Sequence, residues 1–143
     1  MDVNEIRITL RGKVNEKRYN HSVRVAELAQ ALAVRLSEDS EKAYLAGLLH
    51  DCAKGLSEQE MIATAQEAGL EPNHVQRAQP IPLLHAQVGA YIARRDYGIE
   101  DKCVLQAIGY HQSGGINMTA LDKIVSLADM TDPIRTDPDL EIT

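Results

Sequence analysis

Leu45-Ala46-Gly47-Leu48-Leu49-His50-Asp51-Cys52-Ala53-Lys54 is the stretch on which the reading of this chain turns. It stays apolar up to His50 and then sets an imidazole and a carboxylate side by side. An unpaired aspartate behind such an apolar run is costly to bury, and a metal ion or a cationic partner removes that cost. Imidazole nitrogen together with carboxylate oxygen suits borderline divalent ions: Fe, Mn, Co, Ni or Zn. Adjacent helical positions point about 100° apart, so both side chains reach one ion only near the edge between them. The competing reading pairs Asp51 with Lys54 and leaves His50 as a packed core residue. Lys54 lies four residues after His50 and three after Asp51, on the same side of a helix. Its ammonium could neutralise a phosphate oxygen there, or sit near a helix C-terminus, which the macrodipole favours in any case.

Outward from this stretch the apolar spacing is helical almost throughout. Over residues 15–36, Val25, Leu28, Ala29, Leu32, Ala33 and Leu36 form one apolar face. The stretch itself falls in a helix predicted over 40–54, with Ala43, Ala46, Leu49 and Ala53 inward and Gly55 as a left-handed cap. Ser57-Glu58-Gln59-Glu60 reads as a capping box opening a third helix that ends at Gly69. Glu71-Pro72 starts a loop or short helix. Gln79-Pro80-Ile81-Pro82 is predicted to be extended or turned, because each proline restricts the residue before it. Helices follow over 83–96, stopped by Gly98, and over 100–111, broken by Gln112-Ser113-Gly114-Gly115. Thr119 caps a sixth, with Asp122 at its third position and Leu121, Ile124, Val125 and Ala128 inward; Asp132-Pro133 ends it. There is no strand pattern and no internal repeat. The predicted fold class is all-α, an irregular helical bundle.

His21, His50, His85 and His111 each fall on a different helix, beside apolar residues. A single histidine in that setting is more often a hydrogen-bonded core residue than a ligand. Four on separate helices, one of them followed by an aspartate, are harder to read that way. Asp129 closes the apolar run Ile124-Val125-Ser126-Leu127-Ala128; it is a further ligand candidate, or else a solvent-facing carboxylate at a helix end. Arg135 could grip a phosphate with its planar fork, or pair with Asp132. Behind His111, the loop Gln112-Ser113-Gly114-Gly115 could bring backbone N–H groups close to a substrate, or simply end the helix. His74 reads as a surface residue. No G-x-S-x-G, P-loop or dinucleotide-binding glycine pattern is present.

The 143-residue length suits one domain. A net charge of -6, with no basic run, argues against general nucleic-acid binding, although a metal ion would still admit a small anionic substrate. With neither Trp nor Phe, the core must be aliphatic. Cys52 and Cys103 make no C-x-x-C pair and read as buried free thiols in a reducing compartment. No signal-peptide core and no membrane-spanning apolar run is seen, so the reading is cytoplasmic, with no membrane partner.

The order His21, His50-Asp51, His85, His111, Asp129 resembles the HD-domain superfamily, whose pattern is a histidine, an adjacent His-Asp pair and a distal aspartate. The resemblance is closer to its YqeK branch. It rests on the stretch 45–54, on Leu84-His85-Ala86-Gln87-Val88-Gly89-Ala90, and on Leu121-Asp122-Lys123-Ile124-Val125-Ser126-Leu127-Ala128-Asp129 followed by Asp132-Pro133-Ile134-Arg135. It spans about residues 18–135, so the whole chain is taken as one HD domain. The resemblance implies a bacterial, cytoplasmic enzyme that cleaves diadenosine tetraphosphate symmetrically into two ADP. It implies that His21, His50, Asp51 and Asp129 hold iron or a similar divalent ion. His85 and His111 would hold a second ion or contact phosphate. Asp51, Lys54, His85 and His111 are the catalytic candidates. Lys54, His85, His111, Gln112, Ser113 and Arg135 are the substrate-binding candidates. A homodimer is compatible with this reading. Two positions depart from the branch: Gln112-Ser113-Gly114 stands where it has Thr-x-Gly, and Asp132 where it has glutamate. Relatives continue into further helix beyond Arg135, so the C-terminal part is read as truncated or naturally short. The alternatives are another HD phosphohydrolase acting on nucleoside monophosphates or cyclic dinucleotides, a nucleotide-binding regulator without catalysis, and a structural helical adaptor.

Overall fold

Side-chain caps set where most of the helices begin. In the computed structural model, which describes residues 1–110 and 118–132, Asp2 accepts from the Glu5 N–H and opens α1 (Val3–Arg11). Asn15 caps α2 (Glu16–Arg35) through the Arg18 N–H, and Asp39 caps α3 (Ser40–Leu49) through Glu41 and Lys42. The predicted capping box of Ser57 and Glu60 starts α4 (Glu58–Glu67), and Asn73 with Gln76 forms another at α5 (His74–Ala78). Then come α6 (Pro80–Tyr97), α7 (Lys102–Tyr110) and α8 (Ala120–Met130), the last opened by a box of Thr119 and Asp122. The described residues thus form eight helices and no strand, the all-α class expected.

Several boundaries differ from the sequence reading, each for a physical reason. No helix is assigned before residue 15, yet α1 forms, because Ile6 and Leu10 lie one turn apart and bury fully. α6 starts at Pro80 rather than after the prolines: a first turn has no use for the N–H groups that Pro80 and Pro82 lack. α3 stops at Leu49, five residues early. Beyond it the chain tightens into three-residue turns, with Cys52 N–H to the Leu49 carbonyl, Lys54 to Asp51 and Leu56 to Ala53. Gly55 is not the left-handed cap expected, since among the described residues the positive-φ glycines are Gly69 and Gly98. It is small because the Lys13 backbone crosses it: a Cβ there would lie 2.0 Å from the Lys13 carbonyl oxygen. Cys52 is buried as anticipated, whereas Cys103 is exposed, and Leu36 at the end of α2 is exposed as well.

The core is aliphatic and rich in alanine: Ala26, Ala29, Ala33, Ala43 and Ala46 are wholly buried. Small residues let α2 and α3 approach closely, and Gly47 marks the tightest point. A Cβ on Gly47 would come within 2.9 Å of the Ala26 Cα. α8 packs on α2, α3 and α7, while α6 packs on α4 and α7. Among the described residues no helix is long and apolar enough to cross a membrane.

Candidate metal centre

The close approach of α2 and α3 brings His21 and His50 together, their ring centroids 5.1 Å apart. Asp51 follows His50 in the turn that ends α3, His85 comes from α6, and Asp129 from the last turn of α8. All five side chains belong to residues no more than 7% exposed, so their charges are balanced by one another rather than by water.

The donor atoms point inward. His21 Nε2 lies 3.0 Å from Asp129 Oδ1 and 3.7 Å from Asp51 Oδ2. His50 Nε2 lies 3.3 Å from each of the same two oxygens. The other Asp51 oxygen, Oδ1, faces His85 Nε2 at 3.5 Å. Nitrogen and oxygen donors around one divalent ion, each about 2.0–2.2 Å from it, sit about 3.0–3.5 Å from one another. With Asp129 Oδ1 at 3.0 and 3.3 Å from the two imidazoles and Asp51 Oδ2 at 3.3 and 3.7 Å, these four residues could hold such an ion. His21, His50 and Asp51 alone bring one ligand atom each to within 4.8 Å of the others.

Outer contacts fix the tautomers. His50 Nδ1 lies 2.6 Å from the Gly47 carbonyl, and His85 Nδ1 lies 3.0 Å from that of Ile81. His21 Nδ1 lies 2.5 Å from Asp132 Oδ2. The carbonyls of Gly47 and Ile81 can only accept, so His50 and His85 donate from Nδ1, as His21 does to Asp132, and Nε2 of each ring is the nitrogen turned toward the inner carboxylates, where a bound ion would meet it. That is how imidazole is held for ligation. The Gly47 carbonyl is thereby engaged by a side chain at the very place where α3 gives up its regular ladder.

The electrostatics carry the same signature. Burial alone would push His50 down, but Asp51 and Asp129 outweigh it and hold the imidazole up at about 10. Asp51 stays well below the ordinary carboxylate range in spite of burial, because His50, Lys54 and His85 face it. Asp129 is lowered too, by His21 and His50, against its own desolvation. The carboxylates demand a cation between them, and a proton on His50 meets that demand in a protein without metal. His85 behaves differently: burial lowers it to about 4, so it is neutral near pH 7.

Cations ring the cluster. Lys54 Nζ is 3.9 Å from Asp51 Oδ2, on the side the helical spacing predicts. Arg18 Nη1 is closer, 3.1 Å from the same oxygen, with its side chain one-third exposed. Arg24 Nε and Nη2 reach the two oxygens of Asp132 at 2.9 and 3.3 Å. Sequence reading missed both arginines and assigned Asp132 no place beside a histidine. The available signal was spacing: Arg18, His21 and Arg24 recur every three residues along one face of α2. His74 is exposed, as read. The candidates His111, Gln112, Ser113 and Arg135 lie outside the described residues.

Comparison with known proteins agrees with the geometry. The family model described as HD domain matches residues 18–134. The symmetrical bis(5'-nucleosyl)-tetraphosphatase of Bacillus subtilis (strain 168) is 37% identical over 141 residues, 99% of this chain and 75% of that protein. The protein of the same name from Halalkalibacterium halodurans is 41% identical over 128 residues, 90% of this chain and 67% of its own length. A crystal structure of a predicted HD superfamily hydrolase involved in NAD metabolism, from Clostridium acetobutylicum, superposes with a TM-score of 0.89 at 37% identity. It is matched over 99% of this chain and 75% of that one. The chain belongs to the HD domain family, in the branch that holds these relatives.

Proposed function

We propose that the protein hydrolyses diadenosine tetraphosphate, or a closely related dinucleoside polyphosphate, symmetrically into two ADP. His21, His50, Asp51 and Asp129 would hold a divalent ion, iron first, with Mn, Co, Ni or Zn chemically suited to the same donors. The observation that carries this reading is the tautomer-fixed set of histidines around Asp51 and Asp129, in a chain whose relatives bear that enzyme name.

A divalent ion supplies concentrated positive charge and a more acidic water. The chain's own residues do the rest. Lys54 and Arg18, both against Asp51 Oδ2, set two cations at the rim, where an acidic protein of net charge -6 needs them to accept a polyphosphate. His85 turns its Nε2 lone pair toward Asp51 Oδ1, which suits it as a ligand or acceptor rather than as the acid that protonates the leaving group. No acid is needed for a phosphate leaving group, whose second pKa is about 6. Arg135, Gln112, Ser113 and His111 complete the substrate side of the reading. Gripping one ADP-like half puts the attacked phosphorus at the centre of the bridge, and the second ADP leaves.

Chromatography of an early time point, with Fe, Mn or Co present, tests the proposal. ADP is the only nucleotide product expected. AMP with ATP would overturn symmetric cleavage. Inertness toward this substrate, with phosphate released from a nucleoside monophosphate, would move the protein to a different phosphohydrolase activity.

A further inference from the structure

Asp132 is 1% exposed, lies beyond the end of α8, and turns its carboxylate back across the molecule onto α2. It meets two residues there. One oxygen, Oδ2, takes the His21 Nδ1–H at 2.5 Å. Arg24, one turn further along α2, grips both oxygens, with Nε to Oδ1 at 2.9 Å and Nη2 to Oδ2 at 3.3 Å. The carboxylate is thus held in a fixed plane by a planar fork, and the histidine it contacts is the one whose Nε2 faces Asp129 and Asp51.

We propose that Arg24 and Asp132 are a positioning pair for His21, setting its ring orientation and donor strength toward the metal. Two physical arguments carry this. A carboxylate that accepts the distal N–H of an imidazole fixes the tautomer and makes the opposite nitrogen a stronger donor. A buried carboxylate does this reliably only when its own orientation is fixed, and two bonds from one guanidinium fix it better than one. The other two histidines rely on backbone carbonyls, which are neutral acceptors already held by their helices. His21 alone among the three depends on a charged partner far off in sequence, so its geometry is the one that a side-chain change can release.

The inference rests on His21 being a metal ligand, and its test separates the two claims. Co(II) affinity is measured by competition with a chromophoric chelator, together with the Co(II) absorption spectrum and the thermal midpoint of the metal-free protein. Asp132→Ala should weaken Co(II) binding by about 10- to 100-fold and alter the spectrum. Asp132→Glu should restore both, because it returns the carboxylate. Arg24→Gln should weaken binding by about 10-fold while leaving every ligand in place. If Asp132→Ala does not fold, Arg24→Gln decides alone. Parental Co(II) affinity and spectrum in Arg24→Gln, with only a lowered melting midpoint, would reduce the pair to a tie between α2 and the end of α8 and overturn the proposal. A parental protein that binds no Co(II) would overturn the metal reading itself.

Discussion

Two polar clusters in this molecule use the same chemistry at different depths. On the surface, Arg95 pairs with Glu67 at 2.5 Å and with Asp96 at 2.8 Å, and the Tyr91 hydroxyl donates to Glu67 at 2.7 Å. In the interior, the contacts among His21, His50, Asp51 and Asp129 run from 3.0 to 3.7 Å. The shorter contacts are the less consequential ones. Arg95 and Glu67 are 42% and 54% exposed in their side chains, so water and salt screen them and would solvate either partner left alone. The interior groups have no such recourse. Each carboxylate there must be answered by a cation or by hydrogen bonds, and the loss of one member leaves the others uncompensated. Depth, rather than distance, separates contacts that water can replace from contacts that it cannot.

Substitutions can sharpen that contrast, beginning with the largest effect. Asp51→Ala removes the carboxylate that faces both His50 and His85 and receives Arg18 and Lys54. It should abolish most bound metal by elemental analysis and lower turnover by roughly 10³-fold or more. Parental metal content in this variant would break the contrast, because the interior cluster would then be no more demanding than the surface one. Lys54→Ala comes next. Its ammonium touches the cluster from the rim, so metal should be retained while kcat/KM falls by about 10²-fold. An unchanged kcat/KM would return Lys54 to the role of a helix-end lysine. Smallest of all should be Arg95→Ala. Thermal melting should stay within about 4 °C of the parent, and metal content and turnover should not change. A larger loss would show that the surface network contributes more to the packing of α4 on α6 than its exposure implies.

The parts of this architecture that sequence made legible are those set by near neighbours. The capping boxes at Ser57 and Thr119, the stop at Gly98 and the apolar face of α8 all depend on residues three or four apart, and all appear where expected. His50-Asp51 was legible for a similar reason: an imidazole and a carboxylate behind an apolar run are conspicuous without any tertiary knowledge. Asp129 was legible only as one of two readings, a ligand candidate closing an apolar run or a solvent-facing carboxylate at a helix end, and family resemblance favoured the first. Where the sequence reading failed, a contact that apolar periodicity does not report had intervened. The Lys13 backbone, not a left-handed turn, explains Gly55, and α3 ends early where His50 takes the Gly47 carbonyl.

By itself the chain's sequence determined most of the helices, the aliphatic core and the residue types able to hold a divalent ion. Those follow from periodicity, capping and donor chemistry, which act over a few residues. Which nitrogen of each histidine faces the carboxylates, which arginines stand at the rim, and what orients His21 were decided by the fold alone. Asp132 is 111 residues from His21, and Asp51 is 33 from Arg18. Over such separations, only the packing of α8 and α3 against α2 determines which charges meet, because burial forces each of them to find a partner and the helices limit which partners are within reach.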